Sequence, residues 1–96
     1  MRILAVDHGE KRIGLAISDP TATLARPLGV IRHVSRLADA AQVAALAAEH
    51  EVGLIVVGQS FAEDGQPNEA GRRAARFAEV LRSQTSIPVI LWDESL

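Results

Sequence analysis

The sequence predicts a single mixed α/β domain, and three observations carry that prediction. The opening run from Ile3 to Val6 ends at Asp7, turns through charged residues, and returns as a second apolar run, Ile13 to Ile17. Two strands joined by so short a link read as an antiparallel hairpin. Further along, Leu54 to Val57 and Val89 to Trp92 are apolar at successive positions, the pattern of parallel strands buried on both faces. Before each of these strands lies a segment with helical rather than strand periodicity, as a crossover connection requires.

Each element follows in order. Asp19-Pro20-Thr21-Ala22-Thr23 is turn chemistry after the hairpin. Ala25 to Arg32 is a third strand, and Pro27 within it predicts a position at a sheet edge. Ser35 is the expected N-cap of a helix reaching about His50. Its buried stripe is Leu37, Ala40, Ala44 and Ala47, widened by Val43 and Leu46. Gln59 to Pro67 is a polar loop with a turn at Asp64-Gly65, and Asn68 caps a second helix. Ala70, Ala74, Phe77, Ala78 and Leu81 are that helix's buried side.

Composition bounds the function. Ninety-six residues fit one domain, 1–96, and the apolar share of 48% suffices for a core although aromatics are only 3%. Ten Lys and Arg face twelve Asp and Glu, a net charge of −2. A nucleic-acid partner must therefore be held by a local basic patch, not by the field of the whole molecule. Without cysteine there are no disulfides and no thiolate metal sites. The apolar run before Asp7 is shorter than a signal peptide's apolar region or a membrane span, so a soluble, cytoplasmic protein without a membrane partner is expected.

Asp7 is the first candidate site residue. A carboxylate closing an apolar strand must be solvated, paired or bound to a cation. Gly9 beside it offers positive φ and a close ligand approach, although Asp-x-Gly is equally ordinary turn chemistry. His8 could contact phosphate or shuttle a proton near Asp7, or be a partly exposed turn histidine. Lys11 and Arg12 are candidate phosphate contacts or plain hairpin charges. Arg72, Arg73 and Arg76 share an arc of roughly 100° on the second helix, a phosphate-contacting patch or a solvated face.

Asp7-x-Gly9-x-Lys11-Arg12-Ile13-Gly14-x-Ala16-x-Ser18-Asp19 resembles the opening of the YqgF/RuvX family. The likeness continues through Val56-Val57-Gly58, Asp64-Gly65, Arg76-Phe77-Ala78 and Pro88-Val89-x-Leu91-Trp92-Asp93-Glu94, in order along the chain. The family is described as RNase H-like, comprising Holliday junction resolvases and nucleases that process the small-subunit ribosomal RNA precursor. The resemblance implies a five-stranded sheet of order 3-2-1-4-5, and right-handed crossovers then place both helices on one face. Members continue with a further helix bearing another acidic residue, so the chain reads as C-terminally truncated relative to the family. The family's Gly-Leu-Pro after the fourth strand is Gly58-Gln59-Ser60 here, and the Arg of its Asp-Glu-Arg is Ser95.

With that order, Asp7 and Asp93-Glu94 end parallel strands about 10 Å apart, with Gly58 ending the strand between. Arms reaching inward could share a divalent ion or hold a pair about 4 Å apart, the arrangement for in-line phosphodiester hydrolysis. Carboxylate-rich ligation favours Mg²⁺ or Mn²⁺. Neighbouring strand residues face opposite ways, so only one of the last two lines the site. The family motif implies Glu94, with Asp93 in reserve. The expected function is metal-dependent hydrolysis of structured nucleic acid, most simply maturation of the 5′ end of pre-16S rRNA. Resolution of branched DNA and a non-catalytic nucleic-acid-binding or assembly module are the alternatives. The same hairpin opens sugar kinases and Hsp70-like ATPases, which need a second domain. The sheet face without helices predicts either a homodimer or cover by the family's further C-terminal helix, with Leu4, Val6, Leu91 or their strand neighbours in the contact or left bare where that helix belongs.

Overall fold

A computed structural model describes residues 1–94. Its elements are β1 (Arg2–His8), β2 (Arg12–Ser18), β3 (Ala25–Arg32), α1 (Arg36–Glu49), β4 (Val52–Gln59), α2 (Glu69–Gln84) and β5 (Val89–Asp93). They form one five-stranded sheet of order β3-β2-β1-β4-β5, as expected. β1 pairs antiparallel with β2 and parallel with β4, and β4 pairs parallel with β5. β3 is indeed an edge strand, and its register slips next to Pro27, which has no N–H to give a ladder.

The register explains which face is the core. Leu4 stands opposite Ile17 and Ile55, and Val6 opposite Leu15 and Val57. Ile55 in turn meets Val89. These side chains are all buried and form one cluster with Ala40, Val43 and Ala47 of α1 and Ala74, Phe77, Ala78 and Leu81 of α2. Both helices therefore cover one face, and small alanines let them lie close to the strands.

The other face is formed by the alternate residues: Ile3, Ala5 and Asp7 of β1, Leu54, Val56 and Gly58 of β4, Ile90 and Trp92 of β5. Ile90 is 39% and Trp92 55% exposed. Of the residues expected at this open face, Leu4 and Val6 are instead 0% and 2% exposed beneath the helices and Leu91 packs against the same core, whereas their strand neighbours form the open face. A strand apolar at every position does not reveal which alternate set the crossovers will cover.

Both helix starts lie where the capping residues predict. The Ser35 side chain accepts from Ala38 N at 3.1 Å, and Asn68 Oδ1 accepts from Gly71 N at 2.8 Å. The stripe of α1 departs from expectation at its first turn. Leu37 is 58% exposed, whereas Asp39 is 1% exposed. Leu37 precedes the neighbours that cover Ala40 and Ala44, and Asp39 is held inward by hydrogen bonds from His33 Nδ1 (2.5 Å) and Val34 N (3.0 Å).

Candidate functional site

The site is built at the ends of β1, β4 and β5 on the uncovered face. Asp7 is exposed at the end of β1 and pairs with Gly14 of β2. On its other side β4 presents Gly58, one residue beyond the Val6–Val57 pair. Asp7 is thus flanked by two glycines, and on the Gly14 side nothing but its own Cβ, at 3.8 Å, comes near the position a side chain would take. Gly58 stands opposite Trp92, and the chain beyond β5 turns back so that Glu94 N donates to Gln59 O at 2.9 Å. That turn lays the Glu94 side chain over Gly58. A Cβ on Gly58 would meet Glu94 Oε1 at 2.2 Å. The Glu94 carboxylate consequently fills the strand position next to Asp7, and a glycine at 58 is what makes room for it.

Asp93 is half-buried, pairs with Gln59 and, by strand alternation, belongs to the helix-covered side. Ser95, which stands where the family's arginine would be, lies outside the described residues. Among the described residues no three His, Cys, Asp or Glu side chains are gathered as a metal site. Two exposed carboxylates around a glycine cradle nevertheless suit a hard cation, which takes oxygen ligands and completes its shell with water or phosphate oxygens.

Other predicted residues are distributed around this core. Gly9 does not adopt positive φ, contrary to expectation. Its requirement for glycine is steric, because its N–H donates to Arg12 O at 2.9 Å and a Cβ would stand 2.5 Å from that oxygen. Lys11 and Arg12 are exposed at the hairpin end and share a cavity wall with Arg32 and His33. On α2 the three arginines diverge. Arg72 donates to Pro67 O at 2.8 Å, Arg73 pairs with Glu69 at 3.6 Å, and Arg76 is exposed.

His8 differs most from expectation. It is a strand residue and not a turn histidine, and alternation turns it away from Asp7 onto the helix side. Its ring stacks on Phe77 with centroids 4.6 Å apart. Burial lowers its pKa from the ordinary value; Asp39 opposes this, and Arg73, His33 and Arg36 reinforce it. No proton shuttle to Asp7 runs through it.

The loop after β4, where the sequence departs from the family, is tied to α2. Gln59 Nε2 donates to Gly71 O at 3.2 Å, and Ser60 Oγ donates to the capping Asn68 Oδ1 at 2.7 Å. Neither role was visible in the sequence, because both depend on partners more than seven residues away.

Comparison with known proteins agrees with this architecture. The family model described as "RuvX: Holliday junction resolvase" matches residues 1–96. A relative from Anaeromyxobacter sp. is 48% identical over 96 residues, covering 100% of this chain and 70% of its own length. One from Thermoanaerobacter pseudethanolicus is 42% identical, covering 100% and 69%. Both carry the name "Putative pre-16S rRNA nuclease". Among solved structures, T. thermophilus RuvC in complex with a Holliday junction superposes with a TM-score of 0.69 at 15% identity, over 99% of this chain and 66% of that one. The Fowlpox virus resolvase bound to Holliday junction DNA gives 0.57 at 15% identity, over 100% and 62%. At that identity the superpositions establish a shared RuvC-like, RNase H-like fold. With the family model spanning every residue and relatives up to 48% identical, the chain belongs to the RuvX family.

Proposed function

We propose that this chain is a divalent-metal-dependent nuclease that hydrolyses phosphodiester bonds of structured nucleic acid, its substrate being the 5′ end of pre-16S rRNA. The observation that supports the reading is the Glu94 carboxylate lying over Gly58, the strand position beside Asp7. Asp7 and Glu94 would hold Mg²⁺ or Mn²⁺, and a bound ion would supply charge stabilisation to the phosphoryl oxygens and a more acidic water. The open space beside Gly14 would admit the phosphodiester backbone to the carboxylates. Asp93, on the other side of the strand, is the reserve to Glu94. Gly9, Lys11 and Arg12 at the hairpin end, with Arg72, Arg73 and Arg76 on α2, are the assigned substrate contacts, and the soluble cytoplasm is the assigned compartment. The names of the family and of its relatives support the nuclease class, and the relatives' names support the RNA substrate. Branched DNA is the second reading, favoured by the family description and by the junction-bound neighbours.

A cleavage panel with Mn²⁺ tests this directly, using structured RNA bearing a pre-16S 5′ leader, single strands and four-way junctions. Cleavage of the RNA, lost in Asp7→Asn and Glu94→Gln and reduced less in Asp93→Asn, is the expected result. Preference for junctions would transfer the assignment to resolvase activity. Binding without any cleavage would leave a non-catalytic module.

A further inference from the structure

The end of β1 carries a second cluster that the carboxylate pair does not use. On the helix-covered side His8, Glu10, His33, Ser35, Arg36 and Arg73 line a cavity of about 270 Å³. Glu10 and His33 also line an adjoining cavity of about 450 Å³ with Lys11, Arg12 and Arg32. Two buried nitrogens of the first wall, His8 Nδ1 and Arg73 Nε, have no hydrogen-bond partner among the described residues. A buried polar group left unpaired costs about 1–3 kcal/mol. The hydrogen-bonding capacity of these two nitrogens is therefore not spent among the described residues.

The surrounding charge selects the sign of that ligand. Arg36 and Arg73 stand at the first cavity, and Lys11, Arg12 and Arg32 at the second. Against these five permanent cations stand three carboxylates. Glu10 lines both cavities, Asp39 is committed to His33 and Val34, and Glu69 reaches Arg73 at 3.6 Å while 79% exposed. The balance favours an anion. The N-terminus of the fourteen-residue helix α1, capped by Ser35 in the same wall, adds partial positive charge of the same sense.

We propose that this cavity is a phosphate-binding subsite distinct from the Asp7–Glu94 pair, gripping one phosphate of the nucleic acid while another lies at the carboxylates. The proposal rests on the nuclease reading for its choice of ligand. Its geometry comes from strand alternation. Asp7 and His8 are consecutive at the end of β1 and face opposite sides of the sheet, so a strand draped over that end meets both.

The test is made in EDTA, where binding is read without cleavage. Inorganic phosphate is titrated while the imidazole ¹⁵N signals of His8 and His33 are followed, and short single-stranded RNAs with 5′-hydroxyl or 5′-phosphate ends are titrated in parallel. Arg36→Gln and Arg73→Gln are compared with Arg26→Gln, which removes the same charge from the exposed edge strand. Phosphate should move both imidazole signals in the parent chain. Each cavity variant should lower RNA affinity about tenfold at low salt and reduce the salt slope by about 1, and Arg26→Gln should do neither. A 5′-phosphate advantage that disappears in the cavity variants identifies a strand terminus as the source. Equal loss for both RNAs identifies an internucleotide phosphate. Unmoved imidazoles with Arg36→Gln and Arg73→Gln binding like Arg26→Gln would mean a water-filled cavity and overturn the proposal. Phosphate shifts without any effect on RNA affinity would overturn it equally. Should Arg73→Gln fail to fold, the exposed Arg36 carries the comparison alone. If the parent chain binds as expected yet cleaves nothing with Mn²⁺, the nuclease reading falls and the subsite stands.

Discussion

Gly58 joins the sheet to the candidate chemistry, since the Glu94 carboxylate occupies the space a side chain there would take. Gly58→Ala should therefore separate stability from function. Its obstacle is the free end of a flexible side chain, and an alanine in a strand reduces unfolded-state entropy, so unfolding should change by less than about 1 kcal/mol. Mn²⁺ affinity and cleavage should fall as sharply as in Glu94→Gln, measured by calorimetry and by turnover. His8 makes a prediction of a different kind. Burial favours its neutral ring, with Asp39 opposing and Arg73, His33 and Arg36 reinforcing the shift below 6.5. The unfolded chain then binds more protons than the folded one in the window beneath 6.5, so this residue's contribution is present above that pH and is lost as pH falls toward the lowered folded value. Urea midpoints should decline through that window in the parent chain, and the decline should be smaller in His8→Gln.

At the level of elements, α2 is positioned by its first turn. Asn68 caps it, Ser60 holds Asn68, and Gln59 reaches Gly71 O, so the end of β4 and the start of α2 form one hydrogen-bonded unit. Gly71 is buried there, and a Cβ would stand 2.1 Å from the backbone oxygen of Ser60. Alanine ordinarily favours a helix over glycine by about 1 kcal/mol. Here the clash is with backbone, which cannot swing aside, so sterics should win. Gly71→Ala is expected to destabilise by about 1–3 kcal/mol in chemical denaturation. A neutral or stabilising result would mean that the loop after β4 yields easily.

Among the described residues, the sheet has one covered and one open face. Ile3, Ala5, Leu54, Val56, Ile90 and Trp92 form a continuous apolar strip next to the carboxylates, and the register places them side by side. Contiguous apolar surface beyond a few hundred Å² is unusual on monomers. This 96-residue chain is accordingly expected to self-associate through that face, in a mass that rises with concentration in light scattering. Ile90→Asn should return it to a monomer at little cost in stability, because Ile90 is already 39% exposed. A well-dispersed monomer of the parent chain at high concentration would exclude the homodimer.

Much of this was legible in the sequence because it is local. Alternation, helical periodicity and the capping residues Ser35 and Asn68 depend on neighbours within a few positions, and they placed all seven elements. The order of the sheet and the candidate pair Asp7 and Glu94 came from the family likeness of the motifs. What periodicity could not reveal was which face of a doubly apolar strand the helices would cover, because both alternate sets of β1 are hydrophobic enough to be buried. Nor could spacing show that His8 turns away from Asp7, that Asp39 is drawn inside by His33, or that Gln59 and Ser60 brace α2. Those outcomes depend on contacts between residues distant in the chain, and only the packed sheet decides them.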